Sequence, residues 1–297
     1  MIATETKLLV GSHSDKGPRE NNEDTVLSIV LSDGRWLVAV ADGMGGLAKG
    51  ELASKTALGA LYRHLSAGDR FAEALSKAGS AVFEEAEGEN MGTTLVAALF
   101  TGPMAEIANV GDSRAYHLDP LGLVQVTEDH TIGQEASKEE FVSAEELDSP
   151  WAGALSRYLG AEREVTPDFF GPLELHEGGW FLLCSDGLHR VLSPDRMERL
   201  LREETDPAKA AKRIVKEALE AGTWDNVSVA LVYRPKDDGG GSRPLVASNR
   251  KHLPWSPERF ISTSRRTQRA RKRRRLAVVA FLVLIPILAA TAWVLTT

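Results

Sequence analysis

The chain has 297 residues, 43% hydrophobic and 26% charged, enough for a sizeable core and too apolar for a wholly disordered polypeptide. Its net charge of −7 is unevenly spread: residues 243–297 hold 12 basic side chains and one acid, so residues 1–242 carry −18, which argues against nucleic acid as a partner. The single cysteine, Cys184, excludes an intramolecular disulfide, and the N-terminus has neither the basic nor the apolar stretch of a secretory signal.

In chain order, apolar runs predict strands at 25–31 and 36–41, then helices at 47–66 and 69–86. Strands follow at 93–100, 105–109, 114–118, 123–126 and 180–184. Two helices come next, at 194–203 and 207–221, and a last strand at 227–233. Ser193 with Pro194, and Asp206 with Pro207, have the pattern of an N-cap followed by proline in the first turn; Gly222 closes the second helix. Strands that pair locally, with helices inserted in blocks, favour an α+β sandwich over an alternating parallel sheet.

Beyond residue 234 the composition changes. Residues 235–264 are rich in Gly, Pro and Ser, lack periodicity and read as a flexible linker. Residues 265–275, RRTQRARKRRR, are strongly basic, and 276–295 are 20 residues without a charge. At 1.5 Å per residue that run spans about 30 Å, the hydrocarbon thickness of a bilayer. It reads as a transmembrane helix that accepts Pro286, with Trp293 at the far interface. The basic run keeps its flank on the cytoplasmic side. The expectation is a single-pass protein of the cell inner membrane, with its N-terminal domain cytoplasmic.

The informative feature of the body is acid at strand ends. Asp42 follows WLVAVA and precedes GMGG; Asp186 follows WFLLCS; Asp225 precedes NVSVALV; Asp112 sits in ANVGDSRAY; Asp24 ends RENNED. One such aspartate is ordinarily a turn or cap residue. Several at one sheet edge would repel one another unless cations lay among them. Oxygen-only ligation selects hard ions, Mg²⁺ or Mn²⁺, and no His/Cys cluster competes. The glycines after Asp42 imply that something positively charged, or carrying phosphate, comes close to the backbone there.

SDKGPRENNED, VADGMGG, MGTTLVAA, ANVGDSRAY, TEDHT, LSRYLG, FLLCSDGL and WDNVSVALV occur in an order that resembles the bacterial form of the metal-dependent, type 2C protein serine/threonine phosphatases, over about Val10 to Val232. The resemblance implies a four-layer αββα sandwich, two antiparallel sheets flanked by helices, to which this chain adds the C-terminal transmembrane helix. It implies a phosphatase domain over 1–234, in which a water shared by two Mn²⁺ or Mg²⁺ ions attacks phosphoserine or phosphothreonine of proteins in line. Asp42 would then bridge both ions and the Gly43 carbonyl would bind the first. Asp186 and Asp225 would hold the second. Asp112 with Asp186 resembles the ligand set of a third, weaker ion, and Asp24 would act through water. Arg19 matches the arginine that grips the substrate phosphate, and a bacterial Ser/Thr kinase would be the opposing partner. His130 is expected to be a hydrogen-bonded structural residue. The eukaryotic branch carries a histidine where this chain has Met44, so the general acid is left unassigned, with a metal-bound water as the default. The stretch 131–154 corresponds to a flap and keeps little of the family's pattern.

Overall fold

The computed structural model describes residues 7–45, 49–138 and 151–237. The predicted linker beyond 237, the basic segment and the apolar run lie outside them, as does the unit Ser256–Thr297. Among the described residues no helix is long and apolar enough to cross a membrane.

In chain order the elements are β1 Leu9–Asp15, β2 Thr25–Val30, β3 Trp36–Ala41, β4 Gly43–Met44, α1 Lys49–Ser66, α2 Phe71–Ala86, β5 Gly92–Thr93, β6 Leu95–Thr101, β7 Met104–Val110, β8 Arg114–Asp119 and β9 Gly122–Gln125. There follow α3 Ile132–Ala136, β10 Asp168–Glu174, β11 Trp180–Cys184, α4 Asp186–His189, α5 Pro194–Arg202, α6 Pro207–Glu220 and β12 Val227–Tyr233. Among the described residues these build two five-stranded sheets, ordered β1-β12-β11-β8-β9 and β10-β7-β6-β3-β2, in which every pairing is antiparallel, and a small β4-β5 ladder.

The alternation of strand side chains produces the layers. In β3, Leu37, Ala39 and Ala41 pack under α1 and α2, whereas Val38 and Val40 face the other sheet. In β11, Trp180, Leu182 and Cys184 pack with α5 and α6, whereas Phe181 and Leu183 point between the sheets. Both faces of the central strands are therefore buried, which is why they read as continuous apolar runs. Small residues on α1 and α2, among them Ala53, Ala57, Ala60, Ala74 and Ala78, let the two helices lie close on the sheet. Ser193 caps α5 by accepting from the Arg196 N–H, and Asp206 caps α6 by accepting from Ala208 and Lys209, as their sequence pattern predicts.

Besides the two-residue β4, two strands of the five-stranded sheets escaped the sequence pattern. β1, LVGSHSD, is a polar edge strand whose single partner is β12. β10, DFFGPLE, is the edge strand beside β7 and carries a register shift between Phe170 and Leu173, where Gly171 and Pro172 fall. Proline and glycine at a bulge of an edge strand cost no ladder bond, but they look like a loop in the sequence.

Phe181 is fully buried between the sheets, edge-on to Phe100 at 5.5 Å and stacked on His117 at 4.5 Å. Phe181→Ala is expected to lower unfolding stability in urea by about 3–5 kcal/mol. Val124→Ala on exposed β9 should cost less than about 0.5 kcal/mol in the same measurement.

Candidate functional site

Strand register gathers the chemistry at one end of the sandwich. Ala41 faces Thr25, Val40 faces Val96 and Leu95 faces Val110, so the end of β3, the starts of β2 and β6 and the end of β7 coincide. In the other sheet Cys184 faces both Arg114 and Val229, and Val227 faces Asp15. Asp42, Asp112, Asp186 and Asp225 leave these strand ends and line a cleft of about 580 Å³ together with Gly43 and Arg19. Asp24, just before β2, is buried and accepts from the Ser185 hydroxyl at 2.8 Å.

The MGTT segment fixes Asp42. Its carbonyl accepts from the Thr93 hydroxyl and the Thr94 N–H, both at 2.8 Å, and its own N–H donates to Thr94 Oγ1 at 3.0 Å. Gly43 has a packing reason of its own: a Cβ there would lie 2.0 Å from the Gly50 carbonyl oxygen. The glycines after Asp42 thus serve the approach of α1 to β4, a need that the sequence does not distinguish from room for a ligand; Gly46 is outside the described residues.

Electrostatically the cluster calls for positive charge. Burial, then the carboxylates of Asp24, Asp186, Asp112 and Asp225, hold the Asp42 carboxyl well above the usual range. Burial pushes Asp24 up to about 7 against the hydroxyls of Ser228 and Ser185. Burial and then Asp186 push Asp112 to about 6, with Arg190 opposing. Burial also raises Asp186, with Arg190 opposing and Asp225 adding to the rise. Among the described residues the buried oxygens Asp24 Oδ1 and Asp186 Oδ1 have no donor. Among the described residues no three His, Cys, Asp or Glu side chains are arranged to enclose a single ion. The aspartates spread their charge along the cleft, and water and backbone carbonyls must complete any coordination sphere. That demand, with all-oxygen donors, fits hard dications that keep part of their water.

Arg19 sits at the rim. Its Nη2 donates to Asp225 Oδ2 at 2.7 Å, its Nε donates to the Trp224 carbonyl at 3.0 Å, and its guanidinium lies 5.1 Å from the Trp224 ring centroid. Asn226 anchors the loop that delivers it, donating to the carbonyls of Lys16 and Asn21 and accepting from the Glu23 N–H.

His130 is buried away from this chemistry. The Gly111 N–H donates to its Nδ1 at 3.1 Å, so Nε2 carries the proton and donates to Asp168 Oδ2 at 3.0 Å. Arg157 in turn donates to Asp168, and burial keeps the imidazole neutral. The ring braces the turn that presents Asp112, in agreement with a structural role. Of the expected flap, residues 139–150 lie outside the described residues, while Gly153 lines the cleft, as does Leu155 just beyond the flap.

Sequence reasoning missed Arg190 and Trp224. Arg190 lies four residues after Asp186, the spacing of a helical ion pair, and that spacing was a readable signal. Trp224 is half-exposed with two guanidinium groups over its ring, a contact invisible before folding.

A profile of the family described as Protein phosphatase 2C matches residues 12–221. The serine/threonine protein phosphatase PstP of Mycobacterium tuberculosis is 37% identical over 254 residues, 81% of this chain and 48% of that protein, so the chain spans about half the length of that relative. The serine/threonine phosphatase stp of Listeria monocytogenes is 35% identical over 237 residues, 74% of this chain and 94% of that protein. The crystal structure of the catalytic domain of PstP in complex with two manganese ions superposes with a TM-score of 0.64 at 35% identity, over 77% of this chain and 99% of that one.

The raised carboxyls have a consequence for the metal-free protein. Their folded pKa values exceed the unfolded value of about 3.9, so folding takes up protons, and the stability present below that pH is lost as pH rises through about 6 and 7. His189, lowered by burial to about 4, acts oppositely, as do His13, His117 and His130, which burial also lowers; all four have lost their proton in the unfolded chain above about 6.5, where the carboxyls of Asp24 and Asp42 still titrate. In EDTA the thermal midpoint should therefore fall by a few degrees between about pH 6.5 and pH 7.5. Added Mn²⁺ should raise it more at the higher pH. A midpoint that is flat or rises over this range contradicts the account.

Proposed function

The chain belongs to the protein phosphatase 2C family, and from that membership and the geometry of the cleft we propose that it hydrolyses phosphoserine and phosphothreonine in proteins with a metal-activated water. The observation that carries this reading is the gathering of five aspartates at one end of the sandwich, with buried oxygens that no donor among the described residues satisfies. Asp42, the Gly43 carbonyl, Asp186 and Asp225 would hold two Mn²⁺ or Mg²⁺ ions, and Asp24 would reach them through water. Bound there, the ions lower the pKa of the attacking water and offset charge on the phosphoryl oxygens.

The chain's own residues position and neutralise. Thr93 and Thr94 hold the Asp42 backbone from both sides, so its carboxyl keeps its place when its charge state changes. Asp24, donated to by Ser185, orients solvent from behind the cluster. Arg19 is partly exposed and tied to a loop, so its guanidinium can turn from Asp225 to a phosphate and offer it two donors.

Supported by the basic run at 265–275 and the apolar run at 276–295, the domain is tethered by a single span to the cytoplasmic face of a membrane, within reach of a Ser/Thr kinase whose products it reverses.

Asp42→Ala should reduce Mn²⁺-dependent hydrolysis of a phosphothreonine peptide to background. Arg19→Ala should raise KM about 10- to 100-fold, the value of one charge-assisted hydrogen bond to phosphate, with a smaller change in kcat; an unchanged KM removes Arg19 from the phosphate. The whole chain should sediment with membranes, and a chain ending at residue 242 should be released and stay active.

A further inference from the structure

Nothing in the reading above uses Arg190. Its backbone ends α4, its N–H donating to the Asp186 carbonyl, and its side chain turns back over that short helix. One edge of the guanidinium spans two carboxylates: Nε is 2.9 Å from Asp186 Oδ2 and Nη2 is 3.4 Å from Asp112 Oδ2. Both aspartates are buried. The preceding residue strengthens the same junction, since His189 Nε2 donates to the Asp112 carbonyl at 2.9 Å. On the solvent side the guanidinium lies 5.5 Å from the Trp224 ring centroid, so the indole that restrains Arg19 restrains Arg190 as well.

We propose that Arg190 is a resident cation standing between Asp112 and Asp186, and that this chain takes up two divalent ions in the cleft and no third. The inference rests on the metal-dependent reading and refines it. The resemblance to relatives suggested Asp112 and Asp186 as ligands of an additional, weaker ion. A divalent ion shared by the two would need an oxygen of each within about 2.0–2.6 Å. The facing oxygens are instead bridged by nitrogen, and an ion entering there must expel a guanidinium of like charge from two carboxylates and an aromatic face. Asp186 is divided by this arrangement: Oδ2 is committed to Arg190, while Oδ1 has no donor among the described residues and is left for the pair of ions. An arginine keeps its charge at every physiological pH and cannot be diluted away, so this arm of the cleft is neutralised whatever the metal concentration.

The test counts bound ions. The full-length chain in detergent is dialysed to equilibrium against Mn²⁺ up to the millimolar range, and bound metal is measured per chain. The wild type should saturate at two. Arg190→Ala should admit a third, weaker ion, and adding Asp112→Asn should abolish it. Asp112→Asn alone should leave the count at two, because Asp112 ligates no ion while Arg190 is present; this arm stands even where Arg190→Ala fails to fold. A wild-type count of three that falls to two in Asp112→Asn overturns the proposal but leaves the two-ion reading intact, as does a count that stays at two in folded Arg190→Ala. A wild type that binds no ion overturns both.

Discussion

Mutual repulsion among buried carboxylates is the constraint on which this molecule depends. Asp24, Asp42, Asp112, Asp186 and Asp225 come from five separate stretches of chain, and strand pairing within each sheet, with the packing of the two sheets on each other, brings them together. Burial removes the water that would screen them, so each raises the proton affinity of its neighbours. A cluster of this kind stabilises nothing by itself. It is tolerated because two sheets and four flanking helices fix the strand ends independently of it, and it becomes favourable only when positive charge arrives.

The scaffold supplies that charge in unequal ways. Arg19 meets Asp225 from a partly exposed loop, a position from which it can leave; Arg190 meets Asp112 and Asp186 from the end of a helix packed in the core. Both guanidinium groups share Trp224, so the rim of the cleft is a single charged and aromatic unit. Around the Asp112 turn the supporting groups are neutral or already paired: His130 is held uncharged by burial, and Arg114 is satisfied by Asp129. Neutral and paired bracing holds the turn without adding to the field inside the cleft.

The sequence disclosed the central strands because both of their faces are buried, and it disclosed α5 and α6 because Ser193 and Asp206 are followed by proline. β1 and β10 were hidden because an edge strand may be polar, or carry Gly-Pro at a bulge, without losing ladder bonds. The aspartates were legible as residues out of place at the ends of apolar runs. That they share one cleft is a property of register, which local pattern does not encode. Gly43 shows the limit from the other side: its missing side chain suggested a ligand, and the structure gives it a packing partner in Gly50.

The shortness of α4 sets how Asp186 meets Arg190. A carboxylate that must present one oxygen to Arg190 and leave the other free needs a fixed rotation about its own strand end. Four residues of helix, Asp186–His189, give Arg190 the one-turn offset that reaches Asp186, and they place His189 on the Asp112 carbonyl. Gly187 makes this turn possible, because a Cβ there would lie 2.0 Å from the Asn226 carbonyl oxygen of the segment that carries Asp225. A longer or looser turn would separate Asp186 from Asp225 or Arg190 from Asp112. The geometry of the acids and of their fixed counter-charge is therefore set by the same few residues, SDGLHR.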